Sequence, residues 1–154
     1  MRRRALLLVL MLSGCKVANV LPGGSAPQRA IESGVVRALG LRADFDRYVN
    51  RHRQLEAAEA RGDQQAAVLL RAALNAVREE AQKSRGAYND QLLRTAKEYT
   101  ADTIKQALEA VVARYEADGA TGLVPIARLF VEQVLSYQGS GSADFDKLHE
   151  ELLK

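Results

Sequence analysis

The chain has 154 residues, a formal net charge of +3, no tryptophan and a single cysteine, so an intramolecular disulfide is excluded. Three of its 22 basic residues are Arg2, Arg3 and Arg4, and the remainder carries 19 basic against 19 acidic residues. This balance argues against a nucleic-acid partner, because binding to phosphates requires an excess of clustered cations. The length suits one domain with a sizeable core.

The first fifteen residues combine a positive start, a short apolar run and a cysteine. The apolar run, residues 5–12, is too short to cross about 30 Å of hydrocarbon, which needs about 20 helical residues. It fits the apolar region of a secretory signal peptide, which is roughly 7–15 residues long. The small residues Ser13 and Gly14 then precede Cys15. This order predicts export from the cytoplasm.

The Leu-Ser-Gly-Cys sequence that ends at Cys15 resembles the lipobox of bacterial lipoproteins. The resemblance implies a signal peptide over residues 1–14, cleavage between Gly14 and Cys15, and lipidation of Cys15. Two or three acyl chains would anchor the protein to a membrane, whereas one chain binds only marginally. Lys16 is not the aspartate that marks inner-membrane retention in enterobacterial lipoproteins, so the outer membrane, facing the periplasm, is favoured. The alternative is a free N-terminal helix with a buried cysteine.

Residues 15–28 are predicted to be a flexible lipidated tether, because they contain Pro22, Gly23, Gly24 and Pro27. The rest of the chain, residues 29–154, is predicted to be a helical domain. It is rich in Ala, Leu, Glu, Arg and Gln, which favour helices, and no alternating pattern indicates a strand. The spacing of apolar residues and the positions of glycines predict six helices: residues 27–39, 42–61, 64–85, 88–117, 125–137 and 144–153.

Short links between amphipathic helices place consecutive helices antiparallel. We therefore expect an all-α fold: an up-down bundle of about four main helices with an aliphatic core. The first and last predicted helices are expected to be short and peripheral. Gly40 and Gly86 are expected to end helices, and Gly34 to weaken the first one.

Two sequence features are candidates for binding. Arg47, Arg51, His52 and Arg53 form a candidate interaction surface for lipid phosphate or lipopolysaccharide; the alternative is a half-buried histidine among solvated arginines. The sequence Ala-Asp-Phe-Asp occurs at residues 43–46 and 143–146. We interpret both copies as helix starts, since acidic residues favour helix N-termini; the alternative is a pair of interaction motifs.

No catalytic or metal-binding motif is present in the sequence. Asp146 and His149 could supply two metal ligands, but no second pair completes a site, so neither a metal nor a cofactor is expected. Known nucleophile, zinc and phosphate-binding patterns are missing, so an enzyme is not expected.

The function that these features favour is that of a structural or protein-interaction module on the cell envelope. It would be an adaptor, a secretion accessory or a pilotin-like protein, with another envelope protein as its partner. The alternative is a binder or sensor of an apolar ligand held between the helices. A cell-wall hydrolase is least favoured, because the chain lacks tryptophan for stacking on sugars.

Overall fold

A computed structural model of the chain describes residues 24–142 and Glu150. Within this part, the chain forms four α-helices and no strand, so the prediction of an all-α fold is confirmed. No helix among these residues is long and apolar enough to cross a membrane. Residues 1–23, including Gly14 and Cys15, lie outside the described residues, as does nearly all of the predicted helix 144–153. The helices are α1 (Ala26–Ala60), α2 (Gln64–Glu98), α3 (Ala101–Ala117) and α4 (Val124–Ser140), with a 3-10 turn (Thr121–Leu123) before α4.

Helix α1 is one continuous helix, so the prediction of separate helices over residues 27–39 and 42–61 is wrong. It begins after Ser25, whose hydroxyl accepts a hydrogen bond from the backbone N–H of Gln28 at 3.4 Å. Gly40 costs the helix about 1 kcal/mol relative to alanine. Ala38 and Leu41 on either side are fully buried in the core, and their burial outweighs that cost.

Helix α2 runs through Gly86 without interruption, so the predicted boundary there is also wrong. The break falls later, at Tyr99 and Thr100, within the segment predicted as one helix over residues 88–117. Thr100 starts α3 by accepting a hydrogen bond from the backbone N–H of Thr103 at 3.3 Å, which satisfies a donor of the first turn. The buried side chains of Tyr88 and Leu92 continue α2 beyond the glycine.

The two long helices form an antiparallel hairpin. Arg71 pairs with Glu59 at 2.8 Å near the turn, and the Gln91 side-chain amide donates to the carbonyl of Ala30 at 3.3 Å near the other end. Gly62, with a φ of 69°, adopts the left-handed conformation that the turn between the helices requires. At 1.5 Å per residue, each 35-residue helix is about 52 Å long, whereas the 17-residue α3 and α4 are about 25 Å long.

Because of this difference in length, α3 and α4 cover only part of the hairpin. The main core joins all four helices and contains the N-terminal part of α1 and the C-terminal part of α2. The expectation that the first predicted helix, residues 27–39, is peripheral is therefore wrong, because Ile31, Val35 and Ala38 are buried in this core. Phe130 of α4 lies at its centre, fully buried, with its ring edge-to-face against Tyr88 at 5.8 Å. A second, smaller core holds the far part of the hairpin together and consists of Leu55, Ala58, Ala67 and Leu74.

Helix α4 is oriented by polar contacts as well as by apolar ones. The Tyr88 hydroxyl donates to Oε1 of Gln133 at 2.5 Å, inside the core. The Gln138 side-chain amide donates to the carbonyls of Ala96 at 3.0 Å and Tyr99 at 2.8 Å, where α2 ends. These bonds satisfy carbonyls that a helix end leaves without an intrahelical partner. The C-terminal end of α4 therefore lies beside the C-terminal end of α2.

Candidate interaction surface on the helical hairpin

The apolar stripe that α1 turns toward the main core continues beyond it. Ala38 is buried in the main core, and Phe45 and Val49 follow it at intervals of seven and eleven residues, which lie on the same face of a helix. Phe45 packs against the edge of the main core and is only partly buried, as is Val49. The same stripe that is covered near α3 and α4 is therefore open farther along the hairpin.

An open groove runs along this stripe between α1 and α2. Its volume is about 380 Å³. The walls, which we call the hairpin groove, are formed by Phe45, Tyr48 and Val49 of α1 and by Arg78, Ala81, Gln82 and Arg85 of α2. Aromatic, aliphatic and cationic side chains thus line one groove, a composition suited to a partner that is apolar on one side and acidic at its edges.

Arg78 and Tyr48 join the two walls. The Arg78 guanidinium donates to the Tyr48 hydroxyl at 3.2 Å and lies 5.8 Å from the centre of the tyrosine ring. At an exposed site such a cation–π contact contributes about 0.5–1 kcal/mol. The Tyr48 ring also stacks on His52, with 6.2 Å between ring centres.

The structure separates the four residues of the predicted interaction surface. His52 and Arg53 line an extension of the hairpin groove, and Nδ1 of His52 lies 3.5 Å from Oε1 of Glu56. Arg51 instead donates to Gln54 at 3.0 Å, about 200° around the helix from Arg53. The predicted interaction surface at these positions stays a prediction.

Arg47, the fourth of these residues, pairs with the buried carboxylate of Asp44. Asp44 is 4% exposed and also accepts a hydrogen bond from the Ser84 hydroxyl of α2. It lies in the middle of α1, so the interpretation of residues 43–46 as a helix start is wrong. Its acidic group joins the two long helices beside the groove. The second copy of the motif, at residues 143–146, lies outside the described residues.

The tip of the hairpin exposes apolar side chains. Val68 and Leu69 are 60% and 72% exposed, and with Gln64 and Gln65 they line a shallow surface depression. Side chains of this size are unusual on a surface when they lie together, and such patches occur at sites of association. The helix register could have indicated this patch, because at 100° per residue both side chains lie off the face of α2 that carries the buried Ala67 and Leu74.

A buried ion pair lies in the part of the bundle where α1 meets α3. Glu32 is 3% exposed, and its Oε1 accepts from Arg114 at 2.6 Å. Its Oε2 has no hydrogen-bond partner among the residues that the structure describes. Burial raises the pKa of Glu32, although the positive charges of Arg114 and Arg29 oppose this. Burial likewise raises the pKa of Tyr115 to about 12, and the nearby carboxyl of Glu32 adds to the shift.

The sequence does not distinguish Glu32 from the other carboxylates, because a carboxylate at a helical position is ordinarily solvated. In the described part of the chain, no group of three or more His, Cys, Asp or Glu side chains could hold a metal ion. Comparison with protein-family models, with curated proteins and with solved structures gives no match for this chain.

Proposed function

We propose that the protein is a lipid-anchored envelope protein that acts as a structural or protein-interaction module. The observation that carries the interaction part is the long hairpin, which extends past α3 and α4 and exposes Val68 and Leu69 at its tip. An uncovered apolar patch on a projecting arm suits a protein partner better than it suits catalysis on a small molecule.

The anchor is proposed from the sequence that ends at Cys15, with its positive start, short apolar run and small residues before the cysteine. The favoured location is the outer membrane, with the helical domain in the periplasm. Residues 15–28 would form the tether, although α1 begins at Ala26 and takes up the last residues of this segment.

We further propose that the four helices run up, down, up and down. Antiparallel α1 and α2, with the C-terminal end of α4 beside that of α2, support this order. In such a bundle the tether leaves from the end opposite the hairpin tip. The tip would then reach about 52 Å from the start of α1, which favours contact with a partner at a distance from the membrane.

The anchor is tested by replacing Cys15 with serine in the full chain. We expect the parent to fractionate with membranes and to show the mass of a cleaved, lipidated protein, and Cys15→Ser to lose both properties. If the variant fractionates and matures as the parent does, the anchor is refuted.

The interaction role is tested by crosslinking in intact cells, with the Val68→Lys/Leu69→Lys double variant. We expect one dominant crosslinked partner with the parent and its loss with the tip variant. Val36→Lys is the matched control, because Val36 is 55% exposed but lies on the part of α1 that faces α3 and α4. Equal crosslinking with the tip variant and the control would refute the role of the tip.

The hairpin groove favours the second candidate function, an apolar-ligand binder. Its volume of about 380 Å³ lies in the range of small-molecule sites, roughly 300–1,000 Å³. Arg78, on the α2 wall, would pair with the carboxylate of such a ligand at the edge of the groove. Mass spectrometry of the protein extracted in mild detergent should then show a copurifying lipid that is absent from an Ala81→Glu variant.

A further inference from the structure

We propose that the turns of helix at Gly40 and Gly86 form a hinge, at which the outer part of the hairpin bends against the rest of the bundle. The hinge consists of residues 40–44 of α1 and residues 82–86 of α2. We call the part of the hairpin beyond it, residues 45–81, the distal arm. The proposal goes beyond the proposed function, because it concerns how the distal arm moves and depends neither on the lipid anchor nor on a partner at the tip.

Neither packing nor backbone conformation requires the two glycines. A Cβ built at either position meets no heavy atom within 4 Å. Neither residue has a positive φ, and both are exposed. Gly40 lies inside α1 and Gly86 inside α2, where glycine weakens a helix relative to alanine because its backbone has more freedom to lose. Each glycine therefore softens its helix without any steric need for a missing side chain.

The two glycines lie at nearly the same level of the hairpin. The Ser84 hydroxyl donates to the carboxylate of Asp44, so these two residues face each other across the hairpin. Gly40 lies four residues before Asp44, and Gly86 lies two residues after Ser84, so both lie on the same side of this contact. At 1.5 Å per residue they are about 6 Å and 3 Å from it. Both helices can therefore bend at one level, as an antiparallel pair must in order to bend together.

The hinge lies at the end of an interval between two separate apolar cores. On α1, Leu41 is the last residue buried in the main core, and Leu55 is the first in the second core. On α2 the interval runs from Leu74 to Tyr88. The structure describes every residue of both intervals, and the only buried side chain within them is that of Asp44. Because tightly packed cores resist deformation, bending concentrates between them.

Polar contacts keep the two helices side by side through this interval. Asp44 joins α1 to Ser84 within the hinge itself, and farther out Arg78 donates to the Tyr48 hydroxyl at 3.2 Å. These contacts connect α1 to α2 and none of them involves α3 or α4. They therefore hold the distal arm together as a pair of helices without fixing its angle to the bundle.

A small bend at the hinge moves the tip by a large distance. Ala60, at the end of α1, lies 16 residues beyond Asp44, which is about 24 Å along the helix. A bend of about 20° therefore displaces the end of α1 by about 8 Å. The hairpin tip can thus reach different positions while both cores stay packed.

Pulsed electron paramagnetic resonance between two spin labels measures this motion. Cys15 is the only cysteine, so Cys15→Ser in the full chain gives a background without thiols. Ala60→Cys places one label at the end of α1. Ala110→Cys on α3 and Thr121→Cys before α4 supply the second label in turn, so that the motion is measured along two directions. All three positions are exposed.

Replacing both glycines by alanine should stiffen the hinge. We expect Gly40→Ala/Gly86→Ala to narrow the distribution of label-to-label distances about twofold, because each alanine has less backbone freedom than the glycine it replaces. Gly139→Ala is the matched control, since Gly139 is exposed inside α4 and a Cβ there also meets no heavy atom within 4 Å. The control should leave the width unchanged. Identical labels in all variants cancel the width that the labels themselves add, and circular dichroism checks the helical content.

Amide hydrogen exchange, measured by NMR, provides a second measurement without labels. In the chain with both glycines, the amides of residues 40–44 should exchange about tenfold faster than those of residues 45–49, which lie farther along the same helix. Simple fraying from the tip would give the opposite order, with the outer amides faster. The double alanine variant should slow exchange in the hinge, and Gly139→Ala should not.

Three outcomes would overturn the proposal. These are equal distance distributions with and without the two glycines, equal narrowing by the double variant and by Gly139→Ala, or exchange in residues 40–44 that is no faster than in residues 45–49. None of them bears on the anchor or on the partner at the tip, which are tested at Cys15, Val68 and Leu69. Failure of this inference is therefore distinguishable from failure of the proposed function.

Discussion

Replacement of Gly34 by alanine is expected to destabilise the bundle. A Cβ at this position would lie 2.6 Å from three atoms of the Phe130 ring, closer than real Cβ contacts allow. Phe130 is fully buried and packs edge-to-face on Tyr88, so its ring has little freedom to move. Overpacking of this kind costs about 1–3 kcal/mol. Alanine in place of glycine within a helix stabilises the helix by about 1 kcal/mol, which offsets part of the cost of overpacking.

Gly40 provides the matched control for Gly34, since it lies in the same helix. A Cβ added there meets no heavy atom within 4 Å, so Gly40→Ala should stabilise the protein by about 0.5–1 kcal/mol. Urea unfolding followed by circular dichroism should place the two variants about 1–3 kcal/mol apart, with Gly34→Ala the less stable. If Gly34→Ala is as stable as Gly40→Ala, the close packing of α1 on α4 is refuted.

Three further substitutions test the polar contacts of the bundle. The pKa of Glu32 in the folded state is raised above its usual value of 4.5. The folded state therefore loses stability as the pH rises from that value through the raised pKa, because the buried carboxyl must then ionise. The stability advantage of Glu32→Gln over the parent should therefore shrink as the pH falls from 7 toward 5, because burial outweighs the contact with Arg114. Asp44→Ala should cost about 1–3 kcal/mol, since it removes the buried acceptor of Ser84. Thr100→Ala should cost about 1 kcal/mol through loss of the α3 cap.

Each of these substitutions has a control or a contrary outcome, measured by urea unfolding. For Glu32→Gln, a difference that grows on acidification would mean that the ion pair outweighs burial. Asp46→Ala, at an exposed position in the same turn, should change stability by at most about 0.5 kcal/mol. Thr121→Ala is the control for Thr100→Ala and should also change stability by at most about 0.5 kcal/mol, because Thr121 is exposed and begins the 3-10 turn. Equal effects of the two threonine variants would contradict the role of the cap.

The sequence predicted the features that depend on local interactions. Helical composition and apolar spacing predicted an all-α protein, as observed within residues 24–142. Gly62 and Asp63 predicted the turn between the long helices, because the one supplies the left-handed conformation and the other caps α2 by accepting from the N–H of Ala66 at 3.1 Å. The break around residues 118–122 was predicted on the same grounds, and α3 ends there.

The wrong helix boundaries have a common cause. Gly40 and Gly86 resemble helix ends in sequence, but neither has a positive φ, and buried neighbours such as Leu41 and Tyr88 continue the helix through each of them. The true break at Thr100 depends on a single hydroxyl cap, which is a weak signal within an otherwise helical segment. Propensities of about 1 kcal/mol decide a boundary only where no tertiary burial competes with them.

The sequence alone determined that this chain is helical, that it is balanced in charge apart from Arg2, Arg3 and Arg4, and that a cysteine follows a short apolar run. Only the tertiary structure decided that α1 and α2 are about twice as long as α3 and α4, which leaves Phe45 and Val49 in an open groove. The physical reason is that the apolar period of a helix specifies which of its faces is apolar, whereas contacts between residues distant in sequence decide which other helices pack on that face.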